Sequence, residues 1–215
     1  MNRHPRLVSF IALLVIAGSG WITWKRHAAT PDFAVPLHQA VGDTLAVELM
    51  REVDGTGEVL VITLDDSDSP LLATQLQAMR QALERSGRLR IGKQVAVDPG
   101  KRTGYQPGAG LSAGKLCREI QKFPEAVAVV SLVGLPAIDD SDLKVLGTRR
   151  PPLFAVCRDR RKLESLARHQ WVHSAIVPRF EFPAPGSGTP QRPHEWFDRQ
   201  FQLIRFTPTL SQAGR

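Results

Sequence analysis

Cysteine and tyrosine are almost missing from this chain: of its 215 residues two are Cys and one is Tyr. Two thiols, Cys117 and Cys157, cannot make the disulfide framework of a small secreted domain. Both fall in regular elements, one in a helix and one at a strand end, and they read as a pair of buried thiols. Aromatic residues make up 7%. The basic runs Arg149-Arg150 and Arg158 to Lys162 have no aromatics between them on which bases could stack, which argues against a nucleic-acid partner. Acidic residues are absent before Asp32. There is no internal repeat, no Gly-x-Ser-x-Gly elbow and no polar, highly charged tract of the disordered kind.

The net charge of +7 is less telling than it looks. Arg3, Arg6, Lys25 and Arg26 flank an apolar segment; setting these four aside from the 28 basic residues leaves 24 against 21 acids. The remainder is an ordinary globular surface. Residues 7–24 are uncharged, from Leu7 to Trp24. As a helix they would extend about 27 Å, close to the hydrocarbon thickness of a bilayer. Trp21 and Trp24 stand where an interfacial belt would lie, and Lys25-Arg26-His27 follows at once. Residues 1–27 therefore read as a single-pass membrane anchor that leaves the rest of the chain on the periplasmic side. The small residues Ala17 to Gly20 keep open a cleaved signal segment and a secreted product.

Residues 28–36 read as a connector and 37–181 as one α/β domain. Val41, Leu45, Leu49 and Val53 recur every four residues, the stripe of an amphipathic helix. After Asp54 to Gly57 the run Glu58 to Leu64 has no polar alternation and predicts a strand buried on both faces. The cycle then repeats: a helix from Pro70 closed by Gly87, a strand at 89–97, a loop at 98–111 and a helix capped by Ser112. A strand at 126–132, a helix at 140–146, a strand at 152–157, a helix at 160–169 and a strand at 171–177 follow. Such alternation predicts a three-layer α/β sandwich around a mainly parallel sheet of about five strands, Rossmann-like or flavodoxin-like. Residues 182–193, rich in Pro, Gly and Ser, read as a linker. Residues 194–206 read as a last helix docking Trp196, Phe197, Phe201 and Ile204, and 207–215 as a tail.

The runs GDTLAVELMREVDGTGEVLVITLDDSD, LLATQLQAMRQALERSG and LCREIQKFPEAVAVVSLVGLP make residues 42–177 similar in layout to one lobe of type I periplasmic solute-binding proteins. That resemblance implies a non-catalytic binding or interaction module, with a small solute or a protein as partner. Family members close two lobes over their ligand, whereas this chain has length for one. A homodimer or a partner lobe would complete the cleft. Leu64-Asp65-Asp66 also resembles the acidic pair of receiver domains, yet Ser131 stands in place of their phosphoacceptor aspartate and Arg179 in place of their lysine.

In open parallel sheets ligands bind at the carboxyl ends of the strands. This rule singles out Asp65, Asp66, Asp68, Ser131, Gly134 and Arg158 as ligand-binding candidates. The three acids suit a hard cation, and a metal-assisted enzyme using Asp65 and Asp66 is the rival reading. The plainer account is that Ser67 or Asp68 caps the next helix, where its dipole favours acids. The string Gly108 to Leu116 misses a phosphate loop, with Leu116 where a hydroxyl is needed. His169 and His173 have zinc-like spacing, but Trp171 and Val172 between them read as the start of a strand. No metal or cofactor is expected.

Overall fold

The computed structural model describes residues 34–64, 69–98, 111–157, 163, 171–179 and 192–206. The apolar segment 7–24, the helix expected at 160–169 apart from Leu163, most of the 182–193 segment and residues 207–215 lie outside the described residues. Among the described residues no helix is long and apolar enough to cross a membrane. The chain divides into two compact units, 1–34 and 35–215, and the second holds the sheet with its covering helices.

Helix α1 (Ala34–Glu52) is followed by β1 (Gly57–Thr63), α2 (Pro70–Ser86), β2 (Leu89–Ala96), α3 (Ala113–Gln121) and β3 (Ala126–Ser131). Then come α4 (Asp140–Leu146), β4 (Leu153–Val156), β5 (Val172–Pro178), α5 (Pro193–Gln200) and β6 (Phe201–Arg205). The sheet order is β2-β1-β3-β4-β5-β6. β1 to β5 are parallel, and β6 runs antiparallel to β5. Right-handed crossovers place α2 on one face and α3 and α4 on the other, since the path from β2 to β3 must pass back over β1. This is the three-layer sandwich that the alternating pattern predicts.

Each central strand carries an unbroken apolar run because it is covered twice. Val59 to Ile62, Ala128 to Val130 and Leu153 to Ala155 are all fully buried. β2 departs from this expectation: Leu89 is buried, but Arg90, Gly92, Gln94 and Ala96 are exposed. An edge strand loses its cover on one face, and its charged and small residues suit that position.

α1 begins at Ala34, so the connector ends earlier than 36; Pro36 is accommodated in the first turn, where no helical N–H is lost. Leu37, Val41, Leu45 and Leu49 form its buried stripe. At its far end the Arg88 guanidinium donates to the carbonyls of Met50, Val53 and Gly55. A cation there satisfies carbonyls the helix leaves unpaired and complements its dipole. α3 starts at Ser112, whose hydroxyl accepts from the Lys115 N–H at 3.2 Å. α4 starts at Asp139 in a reciprocal capping box with Asp142. α3 and α4 meet where the Gln121 amide donates to the Val145 carbonyl at 2.7 Å.

The C-terminal segment requires a correction. The helix expected over 194–206 ends at Gln200, and 201–205 form a sixth strand. Phe201, Leu203 and Ile204 pair with Pro178, Ile176 and Ala175. No Gly or Pro marks the break. The unpaired edge of β5 supplies the hydrogen-bond partners that end the helix, a long-range cause that local sequence does not carry.

Glu119 on α3 receives Lys122 Nζ at 2.8 Å and Lys93 Nζ of β2 at 3.3 Å. The hydrogen bond from Lys122, aided by Lys93, lowers its pKa below the ordinary glutamate value, against an opposing contribution from burial. A depressed carboxylate contributes stability above its unfolded pKa and loses it as pH falls through the folded value. We expect Glu119→Gln to flatten the acid side of the stability–pH curve while costing less than about 1 kcal/mol at neutral pH, because both lysines reach solvent. Urea unfolding across an acid pH series checks this, and unchanged slopes in the variant would refute it. Asp43 has the opposite sign: burial raises its pKa despite Arg85, so protonation there favours the folded state.

Candidate functional site

The carboxyl ends of the parallel strands form one edge of the sheet, and a cavity of about 270 Å³ opens there. Its strand-side wall is Leu132 just after β3, Val156 and Cys157 at the end of β4, and Pro178 at the end of β5. Phe201, the first residue of β6, closes one side because its pairing with Pro178 holds it at the end of β5. The helix-side wall is His38 of α1 with Ser69, Leu71, Leu72 and Gln75 of α2.

These helices approach closely at Gly42, one turn beyond His38. A Cβ there would overlap the Gln75 carbonyl oxygen and stand 2.9 Å from both Ala78 Cβ and Met79 N. The absent side chain is what lets His38 and Gln75 meet: the Gln75 amide nitrogen hydrogen-bonds His38 Nδ1. Gln75 is 2% exposed, and its Oε1 has no hydrogen-bond partner among the described residues. A buried amide oxygen left alone is costly, about 1–3 kcal/mol, and such groups are rare in folded proteins. At the other end of this wall Ser69 is the N-cap residue of α2, but its side chain makes no capping hydrogen bond.

The sequence-derived candidates divide in two. Asp65, Asp66, Asp68 and Arg158 lie outside the described residues. Ser131 and Gly134 are described and lie together at the end of β3. Ser131 is fully buried, and its hydroxyl donates to the Gly134 carbonyl. Gly134 has φ +87, a left-handed conformation that a side chain resists. The pair thus closes the turn after β3, and the hydroxyl is occupied within the chain. Arg179 follows β5 and donates through Nε to the Phe201 carbonyl at 2.9 Å, which ties β6 to β5. His173 lies within β5, 6.1 Å from the Phe154 ring, while His169 is outside the described residues. Among the described residues no group of His, Cys, Asp and Glu could hold a metal.

Both thiols are buried, as their positions predict. Burial, with Asp142 nearby, raises the pKa of Cys117, whose thiol donates weakly to the Asp142 carbonyl at 3.6 Å. It stays protonated at neutral pH and is a poor nucleophile. Cys157 lines the cavity. Sequence reasoning missed His38, Gln75 and Phe201. A histidine on one helix and a glutamine 37 residues later have no shared local signal; only the tertiary approach at Gly42 joins them.

The parallel three-layer sheet has the fold layout of one lobe of periplasmic solute-binding proteins. No family model matches the chain, and no curated protein does. Solved structures do match. The "XylFII molecule" aligns at TM-score 0.55 and 13% identity, over 79% of this chain and 61% of that one. GanP, a glucose-galactose binding protein from Geobacillus stearothermophilus, aligns at 0.53 and 14%, over 81% and 62%. AraP, an arabinose binding protein from the same organism, aligns at 0.51 and 13%, over 65% and 45%. The chain therefore spans about half the length of the solved proteins it resembles. At these identities the likeness is one of fold.

Proposed function

We propose that this protein is a membrane-held binding module, non-catalytic, that takes a small solute at the carboxyl edge of its sheet on the periplasmic side. The observation that carries the reading is the cavity where α1, α2 and the ends of β3, β4 and β5 meet, with a buried, unsatisfied amide in its wall. The likeness in fold to glucose-galactose and arabinose binding proteins supports a solute of small-molecule size. The apolar segment 7–24, with Trp21 and Trp24 at its carboxyl end, supports attachment to a membrane. One lobe encloses a ligand on fewer sides than two, so a homodimer or a separate partner lobe is part of the same reading.

The experiment is a melting-temperature screen of the full-length chain in detergent against monosaccharides, amino acids and small aromatic and aliphatic alcohols. Leu71→Trp, which fills the cavity from its half-exposed rim, serves as the control. Saturable stabilisation by a compound, lost in Leu71→Trp, is the expected result. Stabilisation that survives in Leu71→Trp, or a chain that responds to nothing, would overturn the reading. For the membrane, the wild-type chain is expected to stay in the pellet after alkaline extraction, and a variant lacking residues 7–24 to be released.

A further inference from the structure

Phe201, the side chain that closes one side of the cavity, belongs to the last described strand. We propose that α5 and β6 form a strap that leaves the sheet as one piece while the five parallel strands stay folded, lifting Phe201 out of the cavity wall as it goes. The opening is a property of the sheet. Its use as a door for a solute rests on the cavity being the binding site.

The strap is lightly held. Among the described strands β6 pairs with β5 alone. Phe201, Gln202, Leu203 and Ile204 are half-buried, whereas Val129, Val130 and Phe154 in the central strands are fully buried. Freeing a central strand breaks two ladders and wets complete aliphatic side chains. Freeing β6 breaks one ladder and wets less apolar surface, so it costs less. No described element follows β6, so its release draws none out of place. Phe197 is the one buried side chain among those described in α5, and its ring stacks on Phe201 at 5.9 Å. That stack makes helix and strand a single body.

Both ends of the strap are tied, and this is what makes it go as one piece. At the cavity end the Arg179 N–H donates to the Gln200 carbonyl at 2.8 Å and its Nε to the Phe201 carbonyl at 2.9 Å. At the far end the Phe206 N–H donates to the His173 carbonyl at 2.8 Å, and Arg205 forks onto the buried Glu48 of α1. A strand tied at one end peels from the other. Tied at both, β6 keeps its pairing with β5 until the clasp gives way. The clasp resists less than its geometry suggests, because water solvates both charges once the strap lifts and returns most of what the pairing supplied.

Native-state hydrogen exchange of the full-length chain in detergent, read by NMR over a series of low urea concentrations, tests this at four N–H groups. Phe206 and Arg179 report the two ends of the strap. Cys157, bonded to the Ile176 carbonyl, and Val129, bonded to the Pro152 carbonyl, report the sheet it leaves. We expect Phe206 and Arg179 to share one rate and one shallow urea slope. After correction for intrinsic exchange that rate should be at least about tenfold above those of Cys157 and Val129, whose slopes are steep. Arg205→Met should speed the strap pair about thirtyfold. Leu116 is fully buried in α3, and Leu116→Ala weakens the closed and strap-open forms alike. It should therefore speed Val129 and Cys157 and leave the strap pair unchanged.

One rate and one slope for all four groups would show that the strap leaves only when the whole domain unfolds, and would overturn the proposal. Fast exchange at Phe206 with Arg179 as slow as Val129 would show fraying of one end, and would overturn it too. Both comparisons use wild-type protein, so they stand even if a variant fails to fold. Neither needs a ligand. A strap that opens in a chain that fails the melting screen would sink the binding reading and leave the opening in place, whereas a chain that binds a solute while strap and core exchange together would sink the opening alone.

Discussion

Gly42→Ala is expected to destabilise this protein by about 3 kcal/mol, although the same change inside most helices is favourable. Glycine costs a helix about 1 kcal/mol relative to alanine, so relieving that cost normally stabilises. Here the sign inverts. The new Cβ would overlap the Gln75 carbonyl oxygen and press within 2.9 Å of Met79 N and Ala78 Cβ. Two of these three atoms are backbone of α2 and cannot rotate aside. Either α1 lifts away from α2 or α2 deforms, and overpacking of this kind costs about 1–3 kcal/mol, or more when backbone must move. The displacement would also separate His38 from Gln75 and distort the helix-side wall of the cavity. Urea unfolding measures the effect. Val47→Ala on the exposed face of α1 is the control, expected within about 0.5 kcal/mol of wild type. A stabilised Gly42→Ala variant would refute the close approach.

The second large effect is expected at Arg205. Glu48 on α1 is 2% exposed and receives Arg205 Nη2 at 2.7 Å and Nε at 3.0 Å in a two-point fork, with Arg51 Nη2 at 2.7 Å. Arg205→Met removes the fork and leaves a buried carboxylate with Arg51 as its remaining cation. Breaking a buried pair costs about 3–5 kcal/mol when nothing compensates. Arg51 compensates in part and Arg205 is itself half exposed, so we expect about 2 kcal/mol. The double variant Glu48→Met with Arg205→Met should recover most of this, because an apolar pair removes the stranded charge. A double-mutant cycle by chemical denaturation gives the coupling. Additive losses would show that the two residues do not act together.

Much of the architecture was legible because its causes are local. Val59 to Ile62 and Ala128 to Val130 are uninterrupted apolar runs, and Pro70, Gly87, Ser112 and Asp140 mark helix boundaries with residues that have few other uses there. β6 was not legible. Trp196, Phe197, Phe201 and Ile204 fit a helical stripe, while the alternation that begins at Phe201 is too short to compete with it. The open edge of β5, more than twenty residues earlier, decides the outcome. A cavity at the strand ends agrees with what topology alone suggests, but its lining was not legible. Of the groups that drew attention, Asp65, Asp66 and Asp68 lie outside the described residues, and Ser131 closes a turn. The residues that line the cavity include three leucines, a valine, a proline and an amide whose roles depend on what α1 and α2 bring beside them.

The clasp between Glu48 and Arg205 spans 157 residues and joins the first described helix to the last described strand. Polypeptides leave the ribosome amino end first. α1 is therefore made early and must wait for nearly the whole domain before its buried carboxylate finds its partner. Phe201, which closes the cavity, arrives in the same final segment. A nascent chain halted after β5 would hold five parallel strands and an open edge, with no finished pocket. The strand that covers the open edge of β5 and the side chain that closes the cavity are thus supplied by one segment.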